Sequence, residues 1–148
     1  MKRLWIVLGC LALSGCSSNL QQNEARDDGL KPSYTVFPIG KVVKEGDRTL
    51  IVLDEEYQPG LKGLGQFSHV TVVYWFDRND NPEKRAVLQV HPQGNLQNPI
   101  RGVFATHSPA RPNLIAISRC KIISVRDNVI EIDEIDAFPN SPVLDLKN

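Results

Sequence analysis

Three histidines, a lone interior cysteine and a short acidic cluster are the residues whose types could support chemistry. His69, His91 and His107 stand far apart and share no ligand spacing. A zinc centre needs three or four convergent donors, so the pattern predicts no metal site. Ser108 follows His107 but lies outside any G-x-S-x-G turn of the kind that lifts a serine nucleophile above a sheet. Asp133, Glu134 and Asp136 crowd one strand end, where carboxylates more often guard an edge against pairing than work as an acid–base pair. No residue is thereby singled out as catalytic. Long ordered loops in a small domain are where binding residues collect, and two qualify, His91 to Gly102 and Ala105 to Asn113.

The elements that must hold those loops are short strands. The chain has 148 residues, of which 41% are hydrophobic and 23% charged, enough for one domain with a real core. Runs rich in β-branched residues at Thr35–Val43, Thr49–Leu53, His69–Phe76, Arg85–Val90, Ile115–Val125 and Val129–Ile135 read as strands. Gly46-Asp47 and Arg126-Asp127-Asn128 read as hairpin turns. No window sustains three turns of amphipathic helix; Glu55–Leu64 holds one short turn around Pro59-Gly60 at most. The fold class expected is all-β, a barrel or sandwich. His69–Phe76 is apolar on both faces, which predicts a central strand covered on both sides, one cover being a second subunit.

The N-terminus reads as an address. Lys2 and Arg3 precede the apolar stretch Leu4 to Leu13, and Leu13-Ser14-Gly15-Cys16 follows. This resembles a bacterial lipobox, in which residues 1–15 are removed and Cys16 carries a thioether-linked lipid that anchors the chain to a membrane. Residues 16–33 then form a flexible polar tether and 34–148 the folded domain. Ser17 is not the aspartate of inner-membrane retention, so the expected location is the cell envelope, at the periplasmic face of an outer membrane in a Gram-negative cell. Cys120 is then the only thiol left, and no internal disulfide is available. The 17 basic and 17 acidic residues of the whole chain become 15 and 17 once Lys2 and Arg3 are lost, a balance that gives nucleic-acid binding no support.

Gly102-Val103-Phe104-Ala105-Thr106-His107-Ser108-Pro109-Ala110-Arg111-Pro112-Asn113 resembles the signature of the TsaA-like family, G-V-F-A-T-R-S-P-x-R-P-N-P-I-G. Pro38-Ile39-Gly40, Leu61 to His69 and Ser141 to Lys147 resemble its opening, G-L-x-x-F-S-H and closing segments. The resemblance runs from about Phe37 to Lys147. It implies a small single-sheet β-barrel with long loops, usually a homodimer with its donor pocket near the subunit boundary. It also implies S-adenosylmethionine as cofactor for methylation of threonylcarbamoyladenosine in tRNA. Matched residue by residue, the donor site would comprise His69, Val70, His107, Ile117 and the stretch Asp136, Ala137, Phe138 and Pro139, while Arg111-Pro112-Asn113 would fix the loop.

Several family features are altered. His107 replaces an arginine that could bind a carboxylate bidentately, and imidazole offers at most two donors. Val43 to Thr49 turns directly between strands where relatives carry a Pro-Arg-Gln loop, and Pro139 stands in place of a carboxylate. Together with the export signal, these changes favour an envelope-anchored binding module that has lost catalysis. The alternative is an S-adenosylmethionine-dependent tRNA methyltransferase, and only then would tRNA be a partner.

Overall fold

The computed structural model describes residues 32–148; the segment that resembles a lipobox, the lipidation expected at Cys16 and most of the expected tether lie outside the described residues. Eight strands run in chain order: β1 (Gly40–Glu45), β2 (Arg48–Leu53), β3 (His69–Trp75), β4 (Gln89–Val90), β5 (Arg101–Gly102), β6 (Ile115–Arg126), β7 (Val129–Ile132) and β8 (Pro142–Lys147). Six of them close a barrel in the order β1-β2-β7-β6-β3-β8, and β4 with β5 forms a separate two-stranded ribbon. The fold is therefore the all-β single-sheet barrel expected, with the excursion from Phe76 to Leu114 emerging between β3 and β6.

Two tight hairpins set the register. Gly46 at φ 57° turns β1 into β2 so that Glu45 faces Arg48, and Asp127 at φ 52° turns β6 into β7 so that Arg126 faces Val129. Alternation then buries one face of each strand. Val70, Val72 and Tyr74 of β3 point inward beside Val42, Ile51, Ile130, Ile132 and Val143. At the mouth of β1, a side chain on Gly40 would run into the Val52 carbonyl and the Leu53 backbone, so only glycine lets β1 lie this close to β2.

Several boundaries differ from the sequence expectation. Residues 35–39 precede β1 rather than belong to it, despite Val36 and Phe37, whose side chains are exposed. Arg85 closes a one-turn helix α1 (Pro82–Arg85), capped by the Asn81 side chain accepting from Lys84 N–H at 2.9 Å, and only Gln89–Val90 of that run is strand. β7 stops at Ile132, and the closing segment forms β8, which the strand pattern did not reveal. The outward residues of β3, Thr71, Val73 and Trp75, are half-buried rather than fully covered. Its double-sided apolar character reflects Val73 and Trp75 facing outward, and among the described residues no second layer of sheet lies over them.

Candidate functional site

The length of β6 creates the site. Its first half pairs with β3, from Ile115 opposite Trp75 to Lys121 opposite His69, while β7 joins its other side only from Ile122 onward. Phe76 N–H donates to Leu114 C=O and Ile122 N–H to Ser68 C=O, both at 2.9 Å. That register commits the backbone groups of Ala116, Ser118 and Cys120 to β3 and turns those of Ile115, Ile117 and Arg119 the other way. Lys121 is the first of this outward set to find partners: its N–H donates to Asp133 Oδ1 at 2.9 Å and its C=O accepts from Asp133 N–H at 3.1 Å. Ahead of it, among the described residues, no strand lies beside the main-chain edge at Ile115, Ile117 and Arg119. Such an edge presents a row of donors and acceptors to any planar polar ligand.

An open cleft of about 740 Å³ lies along this edge, within the size range of small-molecule sites. Tyr74, Phe76 and Phe104 supply its aromatic surface, Ile115 and Ile117 its aliphatic surface, and His107, Arg111 and Asp136 its charged or titratable groups. A shallower depression of about 480 Å³ continues past Ser118 and Asp136 to Arg119 and Glu134. Tyr74 fixes the far wall: its hydroxyl donates to the Asp136 carbonyl at 2.6 Å and lies 3.4 Å from Ser118 Oγ. Burial pushes the Tyr74 phenol above its ordinary range, which keeps it protonated as that donor. Ile135 and Ala137 are buried on either side, so Asp136 is presented outward by its neighbours' packing.

The near wall is the loop after β5. Val103 is fully buried and anchors a single 3₁₀ turn, Val103–Ala105, which leaves Phe104 78% exposed at the cleft. The loop that follows carries His107 and Arg111 and ends at Leu114, also fully buried.

Of the eight residues expected at a donor site, the structure brings together His107, Ile117 and Asp136. The others stand elsewhere in the protomer. Val70 is a core residue paired with Cys120, and His69 sits at the opposite end of β3 from Tyr74, roughly 16 Å along the strand, with Nδ1 2.9 Å from Ser68 Oγ. Ala137 packs into the core, Phe138 lies beneath the Arg78 guanidinium at 3.9 Å, and Pro139 is exposed outside the cleft. Conversely, sequence reasoning assigned Arg111 to loop structure, whereas it lines the cleft. Tyr74, Phe76 and Phe104 were likewise not identified, although the alternation of β3 already turns Tyr74 inward. Among the described residues, no group of three or more His, Cys, Asp or Glu side chains could hold a metal ion.

A single-sheet barrel with a cleft of small-molecule size along an open strand edge defines a class of β-domain with room for a ligand. Residues 33–148 match the tRNA-methyltransferase O N-terminal domain, and the chain belongs to that family. It is 43% identical over 114 residues to the "Probable S-adenosyl-L-methionine-binding protein" of Methanocaldococcus jannaschii, covering 77% of this chain and 90% of that protein. It is 39% identical over 115 residues to the protein so named in Pyrococcus horikoshii, covering 78% and 82%. The tRNA (adenine(37)-N6)-methyltransferase of Rattus norvegicus is 37% identical over 87 residues, 59% of this chain but only 20% of that enzyme. Two solved TrmO structures superpose with TM-score 0.59. One is 27% identical over 78% of this chain, and the other, from Pseudomonas aeruginosa, is 24% identical over 78%. The chain spans 57% and 55% of their lengths.

These likenesses overturn the expectation of a module that has lost catalysis. That expectation weighed the departures at His107, at the short Val43–Thr49 turn and at Pro139, and gave too little weight to what is kept: Arg111, common to the family signature and this chain, brings a guanidinium to the cleft.

Proposed function

We propose that this domain binds S-adenosylmethionine in the cleft beside β6 and serves methyl transfer to an adenosine nitrogen in tRNA. What carries the reading is the 43% identity to the M. jannaschii protein across 90% of that protein's length. The cleft supplies fitting chemistry. Arg111, with His107 beside it in the loop, offers donors for a carboxylate, and Asp136 offers a counter-charge for a cationic group. The unpaired N–H and C=O groups of Ile115 and Ile117 suit the donor–acceptor edge of a base. Tyr74 and Phe76 give apolar surface for a nucleoside. Bound there, S-adenosylmethionine supplies a methyl group activated by its sulfonium. The protein's own task is to hold and align the reactants and to exclude water between them.

Calorimetry on the purified chain tests this reading. Micromolar binding of S-adenosylmethionine is expected, with Arg111→Ala weakening it on the order of tenfold or more through loss of a charge-assisted contact. Absence of heat at millimolar ligand refutes it.

We further propose that two copies associate through the outward face of β6, where Ile115, Ile117 and Ile123, each 42% or more exposed, flank Arg119 and Lys121. Sedimentation of the wild type against Ile123→Lys tests the dimer. The resemblance of Leu13-Ser14-Gly15-Cys16 to a lipobox supports a competing reading of location, that Cys16 is lipidated and the chain held at the envelope, under which S-adenosylmethionine binding stands and the tRNA acceptor does not. Export and a tRNA acceptor exclude one another, so fractionation with an intact mass of the N-terminus decides both. An unprocessed cytosolic chain refutes lipidation, whereas a processed, membrane-bound one refutes the tRNA acceptor.

A further inference from the structure

The loop that brings His107 and Arg111 to the cleft is bonded mainly to itself. Thr106 Oγ1 donates to Val103 C=O at 3.0 Å, Ser108 N–H donates to Thr106 Oγ1 at 3.2 Å, and Ala110 N–H donates to Ser108 Oγ at 3.2 Å. These bonds shape the loop without fixing it to the barrel. Among the described residues, one side chain from another element does that: Arg85 Nη1 donates to the Pro112 carbonyl at 3.0 Å. Arg85 closes α1, and its guanidinium is itself held on two further sides. Nε donates to Asp80 Oδ1 at 2.8 Å, and the plane lies 5.4 Å from the ring centre of Trp75. Trp75 Nε1 donates to the second Asp80 oxygen at 3.2 Å, closing a ring of three side chains on the outer face of β3.

We infer that Arg85 is a positioning residue, which pins Pro112 to this ring and thereby sets where His107 and Arg111 stand in the cleft. A guanidinium can address Asp80 and Pro112 at once through its rigid fork, whereas an ammonium is a single point and must give up one of them. The inference deepens the proposed donor site and rests on it for its functional half. Arg85 itself touches neither the cleft nor a ligand in it.

The test compares the full chain with Arg85→Met and Arg85→Lys by three measurements: melting temperature, hydrogen exchange of amides 106–113 without ligand, and calorimetric affinity for S-adenosylmethionine. Met keeps most of the stem's packing on Trp75 and removes every donor. In Arg85→Met, exchange across 106–113 is expected to quicken on the order of tenfold while the amides of β2 and β7 are unchanged, and affinity to fall about tenfold. Arg85→Lys is expected to recover part of both. Unchanged exchange in a folded Arg85→Met overturns the inference, whatever the ligand does. A loosened loop with undiminished affinity overturns its functional half. A loosened loop in a chain whose wild type does not bind S-adenosylmethionine refutes the donor-site reading and supports the pin. Should Arg85→Met fail to fold, Asp80→Asn, which leaves Arg85 in place and weakens its support, is judged by the same criteria.

Discussion

Tyr74→Phe separates the wall of the cleft from the core on which it stands. The ring of Tyr74 is 3% exposed and packs edge-on against Phe76 with ring centres 5.7 Å apart, and phenylalanine preserves that packing. What is lost is the hydroxyl, with its 2.6 Å bond to the Asp136 carbonyl and its neighbour Ser118 Oγ. A neutral hydrogen bond of this kind contributes about 1 kcal/mol net, and Asp136 lies at the surface, where water can replace part of it. The expected destabilisation is therefore about 1 kcal/mol, or roughly 3–6 °C in melting temperature for a domain of this size. The cleft should respond more than the fold does. Without the hydroxyl, Asp136 is left to the packing of Ile135 and Ala137 and to Lys44 Nζ donating to Ile135 C=O at 3.2 Å, and affinity for S-adenosylmethionine should fall about five- to tenfold. Thermal unfolding and calorimetry on the same preparations measure both. A variant that loses stability but keeps full affinity refutes the claim that Tyr74 positions the wall.

Three further outcomes follow from the geometry. Burial, reinforced by Asp133 and Glu134, pushes the Cys120 thiol up to about 11 from its ordinary 9.0. A raised folded value contributes stability that is complete below pH 9 and lost as pH rises through 11, so Cys120→Ala should flatten the alkaline loss of stability, and the wild-type thiol should resist alkylation until the chain unfolds. Glu131 accepts from Arg48 Nε at 2.9 Å and Nη2 at 3.1 Å, which holds its carboxyl below its ordinary 4.5. Its contribution is present above pH 4.5 and lost as pH falls through the lowered value, so Glu131→Gln should make the acid limb of a stability–pH curve shallower. Gly40→Ala would place Cβ against the Val52 carbonyl and 2.7 Å from Leu53 Cα, and should cost about 1–3 kcal/mol by denaturant melt as β1 and β2 part.

β3 and β7 were legible because each buries every second residue, and β2 because its β-branched and aliphatic run is buried almost throughout, from Thr49 to Ile51 and again at Leu53; the β1–β2 and β6–β7 turns carry turn residues at positive φ. β8 escaped for a physical reason. Its register against β3 shifts between Val73 and Tyr74, so Pro142–Lys147 buries no clean period of two. Thr35 to Pro38 erred the other way: β-branched and aromatic residues read as strand, but among the described residues no strand pairs with them, and of the run only Ile39 is bonded to the barrel, its N–H donating to Val143 C=O at 2.7 Å. Strand propensity describes fitness for a pleated surface and does not supply the partner.

Why the cleft itself was less legible is a question of pairing. Composition marks Ile115, Ile117 and Arg119 as ordinary strand residues, and nothing in their types says that one side of that strand is bare. The bare edge exists because β6 has 12 residues while β7 has four and starts its pairing only at Ile122. That mismatch is set by the tight Asp127 turn at one end and the departure of the chain at Asp133 at the other. His107, Ile117 and Asp136 were reachable only through the family resemblance, which carries positions without geometry. For the same reason it brought His69 and Val70, which this protomer places at the far end of β3. Arg111 shows the complementary failure: Arg-Pro-Asn reads naturally as a rigid turn, whereas the chain bends there and its Pro112 carbonyl accepts from Arg85. The pin and the cation are parts of one device, since a guanidinium on an unpinned loop would have to be ordered anew each time an anion arrived.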